Sequence, residues 1–298
     1  MKPTLTIFTP TYNRAYCLNK GYEALCRQTL KDFVWIVVDD GSTDNTKALV
    51  NGWQKLNNGF EIKYVYKENG GLASGYNKAI EIADTELCMC VDSDDYLTDD
   101  SVETIVSFWK QHRDEGFAGI VGLDCDPEGK VIGDLLPDQK SINLIDLAVG
   151  KYPIVNGDRK NVVRTDLYKS VAPMKEFPGE KDFNPQYLHM KISQKYDFLV
   201  LNKKLCYVDY QSDGMTTTVF KQYLRSPRSF RETRILDMSF KNAPFKYTVK
   251  KTIHYISSCR IAKVPCISCS PRKVLTVLLY PAGMLFTAYL KRSSREHL

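Results

Sequence analysis

Three carboxylates follow a short apolar run in the first third of this 298-residue chain. Leu87–Val91 is typical of a buried strand, and Asp92, Asp94 and Asp95 come directly after it. Carboxylates this close repel one another unless a positive charge lies between them. Mg²⁺ and Mn²⁺ prefer oxygen ligands of this kind and usually bring a phosphate with them. The spacing therefore predicts a metal and phosphate site, although a solvated acidic turn that only ends a strand would have the same sequence.

Polar clusters also follow three other predicted strands. These strands and their polar residues are Leu5–Phe8 with Thr9–Asn13, Phe33–Val38 with Asp39 and Asp40, and Glu61–Tyr66 with Asn69–Gly71. Helices predicted at 15–30, 44–53 and 74–82 separate the strands. This alternation predicts a parallel sheet whose ligand lies at the carboxyl ends of the strands. Each cluster alone could be only a turn, a helix cap or a loop, but their convergence on one edge of one sheet favours a binding site.

Four stretches occur in the order and spacing of a known family. They are Ile7–Arg14 (IFTPTYNR), Val37–Thr46 (VVDDGSTDNT), Glu68–Ile80 (ENGGLASGYNKAI) and Val91–Tyr96 (VDSDDY). Through them, residues 3–125 resemble the nucleotide-sugar half of a family 2, GT-A-type glycosyltransferase of the bacterial surface-polysaccharide type. The resemblance implies an α/β fold of the GT-A type, with a Rossmann-like, mostly parallel central sheet flanked by helices. It also implies an inverting, metal-dependent enzyme that moves a sugar from a UDP-sugar donor to a hydroxyl group of a lipid-linked or growing glycan.

The resemblance implies roles for single residues as well. Asp40 and its neighbour Asp39 would contact the base and ribose of the donor, and Tyr12 would flank the base. Uracil presents an imide N–H that a carboxylate can accept, and ribose hydroxyl groups pair well with aspartate. Asp94, with Asp95 as a further candidate ligand, would hold Mn²⁺ or Mg²⁺ against the diphosphate leaving group. The other implied nucleotide-sugar contacts are Pro10, Gly71, Asn77, Asp92 and Ser93.

A second charged stretch, Glu176–Phe183, resembles the part of this family that carries the acceptor-activating carboxylate. An inverting transfer needs one base to take the proton of the acceptor hydroxyl while its oxygen attacks the anomeric carbon. We assign this role to Glu180. Asp182 is the rival, because Lys181 interrupts the Glu-Asp pair seen in many relatives. An exposed charged turn is the alternative without chemistry.

The C-terminal part of the chain is basic and contains one long uncharged segment. Residues 241–298 hold eleven lysines and arginines and one acid, whereas residues 1–240 hold thirty basic and thirty-four acidic residues. Val274–Leu290 carries no charge, is broken at Pro281 and is shorter than the roughly twenty residues that cross a membrane. We predict that this segment binds an anionic membrane surface with basic anchors on either side. The alternative is a packed hairpin of helices with exposed basic ends.

These features also predict where the protein works and how it is divided. No signal peptide is visible, so we expect a cytoplasmic protein, peripheral on the inner face of the cell membrane. No nucleic-acid partner is expected, because the tail has no recognisable binding motif and is too apolar between its charges. The predicted domains are a glycosyltransferase domain at 1–218, with a nucleotide-sugar half at 1–125 and an acceptor half at 126–218, and a helical extension at 219–298.

Within the acceptor half, Phe198–Leu201 and Leu205–Val208 are predicted as two strands. Tyr210–Thr216 matches a family element that would form a loop over the diphosphate or the acceptor.

Two other functions are compatible with a similar sheet. A nucleotidyltransferase usually opens with a glycine-rich phosphate loop, which Pro10–Asn13 is not. An inactive glycan- or nucleotide-binding module would not need the intact carboxylates.

Overall fold

The computed structural model describes residues 2–155, 157–210 and 219–296. The chain divides into two compact units. The first comprises Met1–Gly70, Ser74–Met174 and Lys191–Gln211, and the second comprises Gly71–Ala73, Lys175–Met190 and Ser212–Leu298. Residues 175–190, which the sequence assigns to the acceptor half, therefore group with the C-terminal helices in this division.

One sheet of nine strands runs through the described part of the first unit. Its strands are β1 (Leu5–Thr11), β2 (Phe33–Asp39), β3 (Glu61–Tyr66), β4 (Leu87–Cys90), β5 (Tyr96–Leu97), β6 (Gly119–Cys125), β7 (Ser141–Ile142), β8 (Arg159–Arg164) and β9 (Phe198–Tyr207). The spatial order is β3-β2-β1-β4-β8-β6-β9-β5, with β7 paired to β9. Strands β1 to β4 are parallel, whereas β8 is antiparallel to both β4 and β6. The N-terminal half of the sheet thus has the parallel arrangement that the alternation of strands and helices predicts.

Helices follow each of the parallel strands. They are α1 (Leu18–Arg27), α2 (Thr46–Trp53), α3 (Leu72–Ile82) and α4 (Ser101–His112), with a 3₁₀ turn at Arg113–Glu115 and two short helices, α5 (Leu144–Ala148) and α6 (Thr165–Val171), further along. Every residue of β2 is buried, as expected for a parallel strand covered on both faces. The Trp35 indole of β2 donates to the Thr9 hydroxyl of β1 at 3.0 Å. Because β1 and β2 pair in register up to Thr11 and Asp39, their polar carboxyl ends lie side by side.

The helix predicted at 15–30 is shorter, because both of its ends form turns. Before α1, the Cys17 N–H donates to the Arg14 carbonyl at 3.1 Å. After α1, Gln28 leaves helical geometry, and its side-chain amide donates to the carbonyls of Ala24 and Thr98. The structure therefore corrects the boundaries but not the existence of this helix.

The two strands predicted at 198–201 and 205–208 are one continuous strand, β9, so that prediction was wrong. The intervening residues 202–204 are polar and exposed, which is the usual sequence signal of a turn. In the structure, the Asn202 side chain pairs with the Leu136 backbone in both directions, at 2.8 and 3.0 Å. The pairing of β6 with β9 also changes register between Val121 and Leu123. An irregularity in strand pairing accommodates the polar residues without reversing the chain.

The second unit is helical in its described residues. It contains most of α7 (Gln186–Ile192), and then α8 (Val219–Arg225), α9 (Pro227–Ser239), α10 (Phe245–Ala262), α11 (Lys273–Leu278) and α12 (Tyr280–Glu296). Met238, Tyr255, Ile256 and Cys259 form its buried apolar cluster. Helix α12 approaches α10 closely at Gly283, where a Cβ atom would lie 2.4 Å from Cγ2 of Ile256. A glycine is therefore needed at the point where the two helices meet.

Two histidines, the buried His189 and the half-buried His254, should make the second unit sensitive to acid. Burial lowers the pKa of His254 to about 3, with Arg234 acting in the same direction, and burial lowers the pKa of His189 to about 4. An unfolded histidine has a pKa near 6.5, so below that pH the unfolded chain binds more protons than the folded chain. The stability present above about pH 6.5 should therefore be lost as the pH falls, by up to about 1.4 kcal/mol per pH unit for each histidine.

A variant isolates this contribution. The His254 ring packs against Phe286 with centroids 4.4 Å apart, so His254→Phe keeps an aromatic ring in place. Urea unfolding between pH 7 and pH 4 should show a shallower loss of stability in the variant, because phenylalanine binds no proton in the unfolded chain. The carboxylates titrate alike in both proteins, so the difference between the two curves is due to His254. Parallel curves for the two proteins would contradict the assignment.

Candidate active site

The loop after β1 is fastened to the loop after β2. Asn13 adopts a left-handed conformation with φ of 54°. Its N–H donates to the Ser42 hydroxyl at 2.9 Å, and its side-chain oxygen accepts from the Thr43 N–H at 2.8 Å. Tyr12, the residue predicted to flank the base, is 49% exposed beside this junction. The two loops therefore form one surface at the carboxyl end of the parallel strands.

Asp39 uses both carboxylate oxygens within the fold. The residue is only 1% exposed. Oδ1 accepts from the Ser42 N–H at 2.7 Å, and Oδ2 accepts from the Tyr64 hydroxyl. Burial, assisted by this carboxylate, raises the pKa of Tyr64. These contacts make Asp39 an organiser of the turn after β2.

Asp40 connects the loop after β2 to the loop after β3. Its Oδ1 accepts from the Lys67 ammonium at 2.7 Å and from the Gly70 N–H at 2.9 Å, and its carbonyl accepts from the Asn69 amide at 2.8 Å. Gly41 has φ of 86°, and a Cβ there would lie 2.8 Å from the Asn69 nitrogen. A glycine is thus required where the two loops approach. Asp40 is a buried carboxylate with a cation beside it at the edge where the sequence places the nucleotide.

The Asp92–Asp95 turn follows β4 and is closed by the Asp95 N–H, which donates to the Asp92 carbonyl at 3.0 Å. Its side chains have different environments. Asp92 is exposed, Ser93 and Asp94 are half-buried, and Asp95 is buried. Asp92 accepts a long contact of 3.5 Å from the Cys90 thiol. Of the three carboxylates, Asp92 and Asp94 are therefore the ones that open toward solvent.

Arg14 joins the loop after β1 to this turn. Its Nη1 lies 3.6 Å from Oδ2 of Asp94 and donates to the Tyr16 hydroxyl at 2.7 Å. The structure thus brings together three predicted site segments of the first unit, namely Tyr12 with its neighbours, Asp39 with Asp40, and Asp92 with Asp94. Sequence reasoning assigned no role to Arg14, although it is the last residue of a quoted motif. The signal that identifies Arg14 is its proximity to Asp94, which the sequence does not contain and which only the folded chain shows.

The carboxylates of the turn fit a divalent ion that a diphosphate also binds. Within residues 2–155, 157–210 and 219–296, no three His, Cys, Asp or Glu side chains form a group able to hold a metal ion. Mg²⁺ is usually bound by one or two carboxylates plus substrate phosphates and water, so a complete protein cage is not required. Asp94, half-buried and already beside one cation, has the charge and oxygen atoms for that role.

Lys160 is a buried cation that sequence reasoning missed. Its Nζ lies 3.8 Å from Oδ2 of Asp95 and 3.8 Å from Oδ1 of Asp124, and among the described residues that Asp124 oxygen has no hydrogen-bond partner. Burial raises the pKa of Asp95 to about 8, while the Lys160 ammonium opposes this rise. Asp95 therefore directs its carboxyl group to an internal charge. These contacts favour Asp94 over Asp95 as a metal ligand.

Removing the buried cation should destabilise the fold. Lys160→Met leaves the buried Asp124 without a counter-charge, and Asp95 as well above its pKa of about 8. Loss of one partner of a buried pair typically costs about 3–5 kcal/mol. Urea unfolding measures this cost. Lys203→Met, at an exposed lysine of β9, is the matched control and should change stability by less than about 0.5 kcal/mol. A similarly small effect at position 160 would show that the charge is not part of the fold.

Two of the other predicted nucleotide-sugar residues make contacts inside the first unit. Pro10 is half-buried in β1, and Gly75 of α3 approaches it so closely that a Cβ there would lie 3.1 Å from the proline Cβ. The Asn77 side chain pairs with the Met174 backbone in both directions, at 2.9 and 2.8 Å. These contacts position α3 and the chain after α6.

Gly71 belongs to the second unit. It has φ of 89°, and a Cβ there would lie 2.5 Å from the Lys181 Cα. The N–H of the next residue, Leu72, donates to the Lys181 carbonyl at 3.1 Å. A larger residue at 71 would therefore displace the backbone of the Glu180–Asp182 stretch.

Glu180 is held at the start of α9. Its Oε1 accepts from the Arg228 N–H at 2.9 Å and from the Arg228 Nε at 3.1 Å. Its Oε2 accepts from the Ser229 N–H at 2.7 Å and from the Ser229 hydroxyl at 2.8 Å. A carboxylate here satisfies backbone groups that have no partner within the helix and interacts favourably with the helix dipole. Its side chain is 4% exposed, so these contacts are those of a structural cap.

Asp182 has fewer partners and greater exposure. Its Oδ2 accepts from the Ser226 hydroxyl at 2.9 Å, and the exposed Arg225 side chain approaches Oδ1 at 3.3 Å. The Asp182 N–H also donates to the Ser226 hydroxyl at 3.1 Å. The two serine contacts orient the carboxylate, while a long arginine contact at the surface can open at small cost. Of the two base candidates, Asp182 has the more accessible carboxylate.

The loop predicted at Tyr210–Thr216 is described only at its first residue. The Tyr210 hydroxyl donates to Asp158, and the remaining residues of the predicted loop, 211–216, lie outside the described residues.

Comparison with known proteins identifies the N-terminal part of the chain. Residues 6–137 match the model of Glycosyl transferase family 2. The chain is 30% identical over 132 residues to chondroitin synthase from Pasteurella multocida (strain Pm70), which covers 44% of this chain but only 14% of that protein. It is 27% identical over 231 residues to GalNAc(5)-diNAcBac-PP-undecaprenol beta-1,3-glucosyltransferase from Campylobacter jejuni, covering 75% of this chain and 70% of that enzyme.

A solved structure supports the fold over almost the whole chain. Staphylococcus aureus TarS 1–349, crystallised in complex with UDP-GlcNAc, is 17% identical, with a TM-score of 0.64, and covers 99% of this chain and 92% of that chain. The sheet order, the helices on it and the polar loops at its carboxyl edge define a GT-A-type α/β fold, which confirms the predicted fold class. Residues 6–137, which contain the four quoted motifs, match the model of Glycosyl transferase family 2, and the resemblance that those motifs predict is confirmed over this range.

Proposed function

We propose that this protein is an inverting, metal-dependent glycosyltransferase that moves a sugar from a UDP-sugar to a hydroxyl group of a glycan. The observation that carries the proposal is the contact chain at the carboxyl edge of the sheet. Asn13 is hydrogen-bonded to the loop after Asp40, and Arg14 lies 3.6 Å from Asp94. The Asp40 carboxylate, the exposed Tyr12 ring and the Asp94 carboxylate are thereby held on one surface, which supports a nucleotide-sugar site there. The likeness to a UDP-GlcNAc complex supports the choice of donor.

The donor half of the mechanism uses the chain's own charges. Asp40 would accept the uracil imide N–H or a ribose hydroxyl, and Tyr12 would stack on the base. Asp94 would hold the Mn²⁺ or Mg²⁺ ion, which when bound supplies positive charge to the departing diphosphate. Arg14 would add a second positive charge at the same edge, and Asp92 and Ser93 would contact the donor beside it.

The acceptor half needs a base, and the contacts favour Asp182 for this role. Glu180 would then anchor α9 and hold the backbone of the stretch in place. In an inverting reaction, Asp182 takes the proton of the acceptor hydroxyl as that oxygen bonds to the anomeric carbon and the bond to the UDP oxygen breaks. The proton therefore goes to Asp182, and the electron pair leaves with UDP.

A donor screen tests the proposed reaction. Purified protein should release UDP from one UDP-sugar much faster in the presence of a glycan acceptor than without it, and EDTA should stop the release. Release of pyrophosphate from a nucleoside triphosphate and a sugar phosphate would instead indicate a nucleotidyltransferase. Failure to bind any UDP-sugar, measured by calorimetry, would contradict the donor assignment.

Asp40 should decide recognition of the base. Asp40→Asn preserves the shape of the side chain but replaces an acceptor oxygen by an amide, so UDP binding should weaken by about 1.5–3 kcal/mol. Cytosine lacks the imide N–H, so the ratio of the affinity for UDP to the affinity for CDP should also be smaller in the variant than in the wild type. Asp84→Asn, at a surface pair with Lys2, is the control and should leave both affinities unchanged. An unaltered preference in the Asp40 variant would assign base recognition to another residue.

The basic C-terminal helices bear on the acceptor and on the place of action. We propose a lipid-linked or growing surface glycan and a place of action on the cytoplasmic face of the cell membrane, with the basic C-terminal helices toward anionic lipid. The Campylobacter jejuni relative is named for an acceptor carried on undecaprenol, which supports this choice. Transfer to an acceptor extracted with lipid, and none to the same glycan after removal of the lipid, is the expected result.

A further inference from the structure

Helices α11 and α12 each expose apolar side chains at positions three to four residues apart, a spacing that places side chains on one face of a helix. Val274 and Leu278 of α11 are 75% and 70% exposed, and Leu285 of α12 is 74% exposed. We call this surface the apolar face, and its other exposed members are Val277, Pro281, Met284, Ala288 and Tyr289. Large groups of exposed apolar side chains mark interaction sites on soluble proteins, whereas single exposed apolar residues do not.

The opposite side of α12 anchors the helix. Gly283, Thr287 and Leu290 are buried, and Gly283 is where α12 meets Ile256 of α10. Phe286 packs against His254 with centroids 4.4 Å apart. One side of α12 therefore packs on the unit, as the predicted hairpin alternative expects. Within the apolar face, the Tyr289 ring contacts Phe220 of α8 with centroids 6.1 Å apart, whereas Leu278 and Leu285 are mostly exposed. Polar residues at positions 278 and 285 would therefore cost the unit little stability.

Positive charge lies at both ends of the apolar face. Lys273 precedes it, Lys291 and Arg292 follow it, and all three are exposed. The surrounding segment, residues 241–298, has eleven basic residues and one acid. A second copy of the chain would bring the same positive charge to the face and repel it. A surface with an apolar interior and negative charge at its boundary matches both features, and an anionic lipid bilayer is such a surface.

We propose that the apolar face is a binding surface for anionic lipid bilayers, in which Leu278 and Leu285 enter the boundary between headgroups and acyl chains. Lys273, Lys291 and Arg292 would contact the headgroup phosphates. In the described ranges, no helix has the length and apolar character needed to span a membrane, so the helices would lie in the surface plane. This inference deepens the proposed location but does not depend on the donor chemistry.

Vesicle flotation with the full-length protein tests the apolar contribution. The wild type should float with vesicles of phosphatidylglycerol and phosphatidylcholine at low salt, and high salt should release only part of it. The double variant Leu278→Gln with Leu285→Gln should lower the partition coefficient for these vesicles by about 100-fold, since each leucine buried in the bilayer raises it roughly tenfold. Leu56→Gln, at a leucine of the first unit that is 58% exposed, is the control and should bind as the wild type.

The charge contribution has its own variants. Lys273→Gln with Lys291→Gln should weaken binding to anionic vesicles about 25-fold at low salt, or about fivefold per residue, and should have little effect on neutral vesicles. Lys47→Gln with Lys203→Gln removes two exposed lysines of the first unit and should be without effect. Circular dichroism and UDP binding establish that each variant is folded.

Three outcomes would overturn the proposal. The wild type could fail to float with anionic vesicles, or the double leucine variant could float as the wild type does. Alternatively, analytical ultracentrifugation could show a wild-type dimer that the leucine substitutions dissociate, which would make a second copy the occupant of the face. UDP binding is measured on the same samples, so failure of the lipid surface and failure of the proposed donor chemistry are separate results.

Discussion

Replacing Asp94 by asparagine should lower sugar transfer by at least about 10²–10³-fold. Asp94 is the half-buried carboxylate of the turn after β4, and we propose it as the ligand of the ion that faces the diphosphate. Asparagine retains the shape and one oxygen but loses the negative charge that draws a divalent cation. The diphosphate would then leave with its charge uncompensated, and the transition state would lose more than the ground state.

Binding of Mn²⁺ provides a readout that does not depend on turnover. Electron paramagnetic resonance should show that UDP and the wild type together retain Mn²⁺, and that Asp94→Asn with UDP does not. Asp99→Asn, at an exposed pair with Arg27, is the control. Full turnover of the wild type in EDTA would rule out the proposed role. If Arg14→Gln abolished that EDTA-resistant turnover, the guanidinium 3.6 Å from Asp94 would be the counter-charge of the diphosphate.

Asp182→Asn should lower kcat by about 10²–10⁴-fold while leaving UDP binding nearly unchanged. The amide cannot accept the acceptor proton, but it can keep the hydrogen bond with Ser226 that orients the side chain. Single-turnover measurements separate the chemical step from product release. A flattened acidic limb in the pH profile of kcat would identify the lost group as a base.

Glu180→Gln should affect stability more than chemistry. Gln can accept hydrogen bonds through one oxygen only, whereas the Glu180 carboxylate accepts four from Arg228 and Ser229. We expect a loss of about 1–3 kcal/mol in the free energy of unfolding. At a temperature where the variant is folded, kcat should remain within about tenfold of the wild type. A folded Glu180 variant that lacks activity, together with an active Asp182 variant, would return the base assignment to Glu180.

Much of the first unit could be predicted from local sequence because its signals are local. The run Phe33–Val38 is apolar without interruption, and the structure contains a strand there that is buried on both faces. The parallel order of β1 to β4 follows from strands separated by helices, and a parallel sheet places all their carboxyl ends on one edge. The resemblance to a known family was equally accessible, because four motifs in a fixed order lie at the same edge of the sheet.

The amino-acid sequence alone predicts a glycosyltransferase, the edge of the sheet that bears the polar loops, and the charge and apolar character of the tail. The direction in which each carboxylate faces is apparent only in the folded chain. Asp94 and Asp95 are neighbours in sequence, yet Asp95 faces Lys160, a residue of a distant strand, while Asp94 opens toward solvent beside Arg14. Glu180 likewise gains its partners from α9. The physical reason is that the pairing of a buried charge depends on groups far apart in the chain, which spacing along the sequence does not encode.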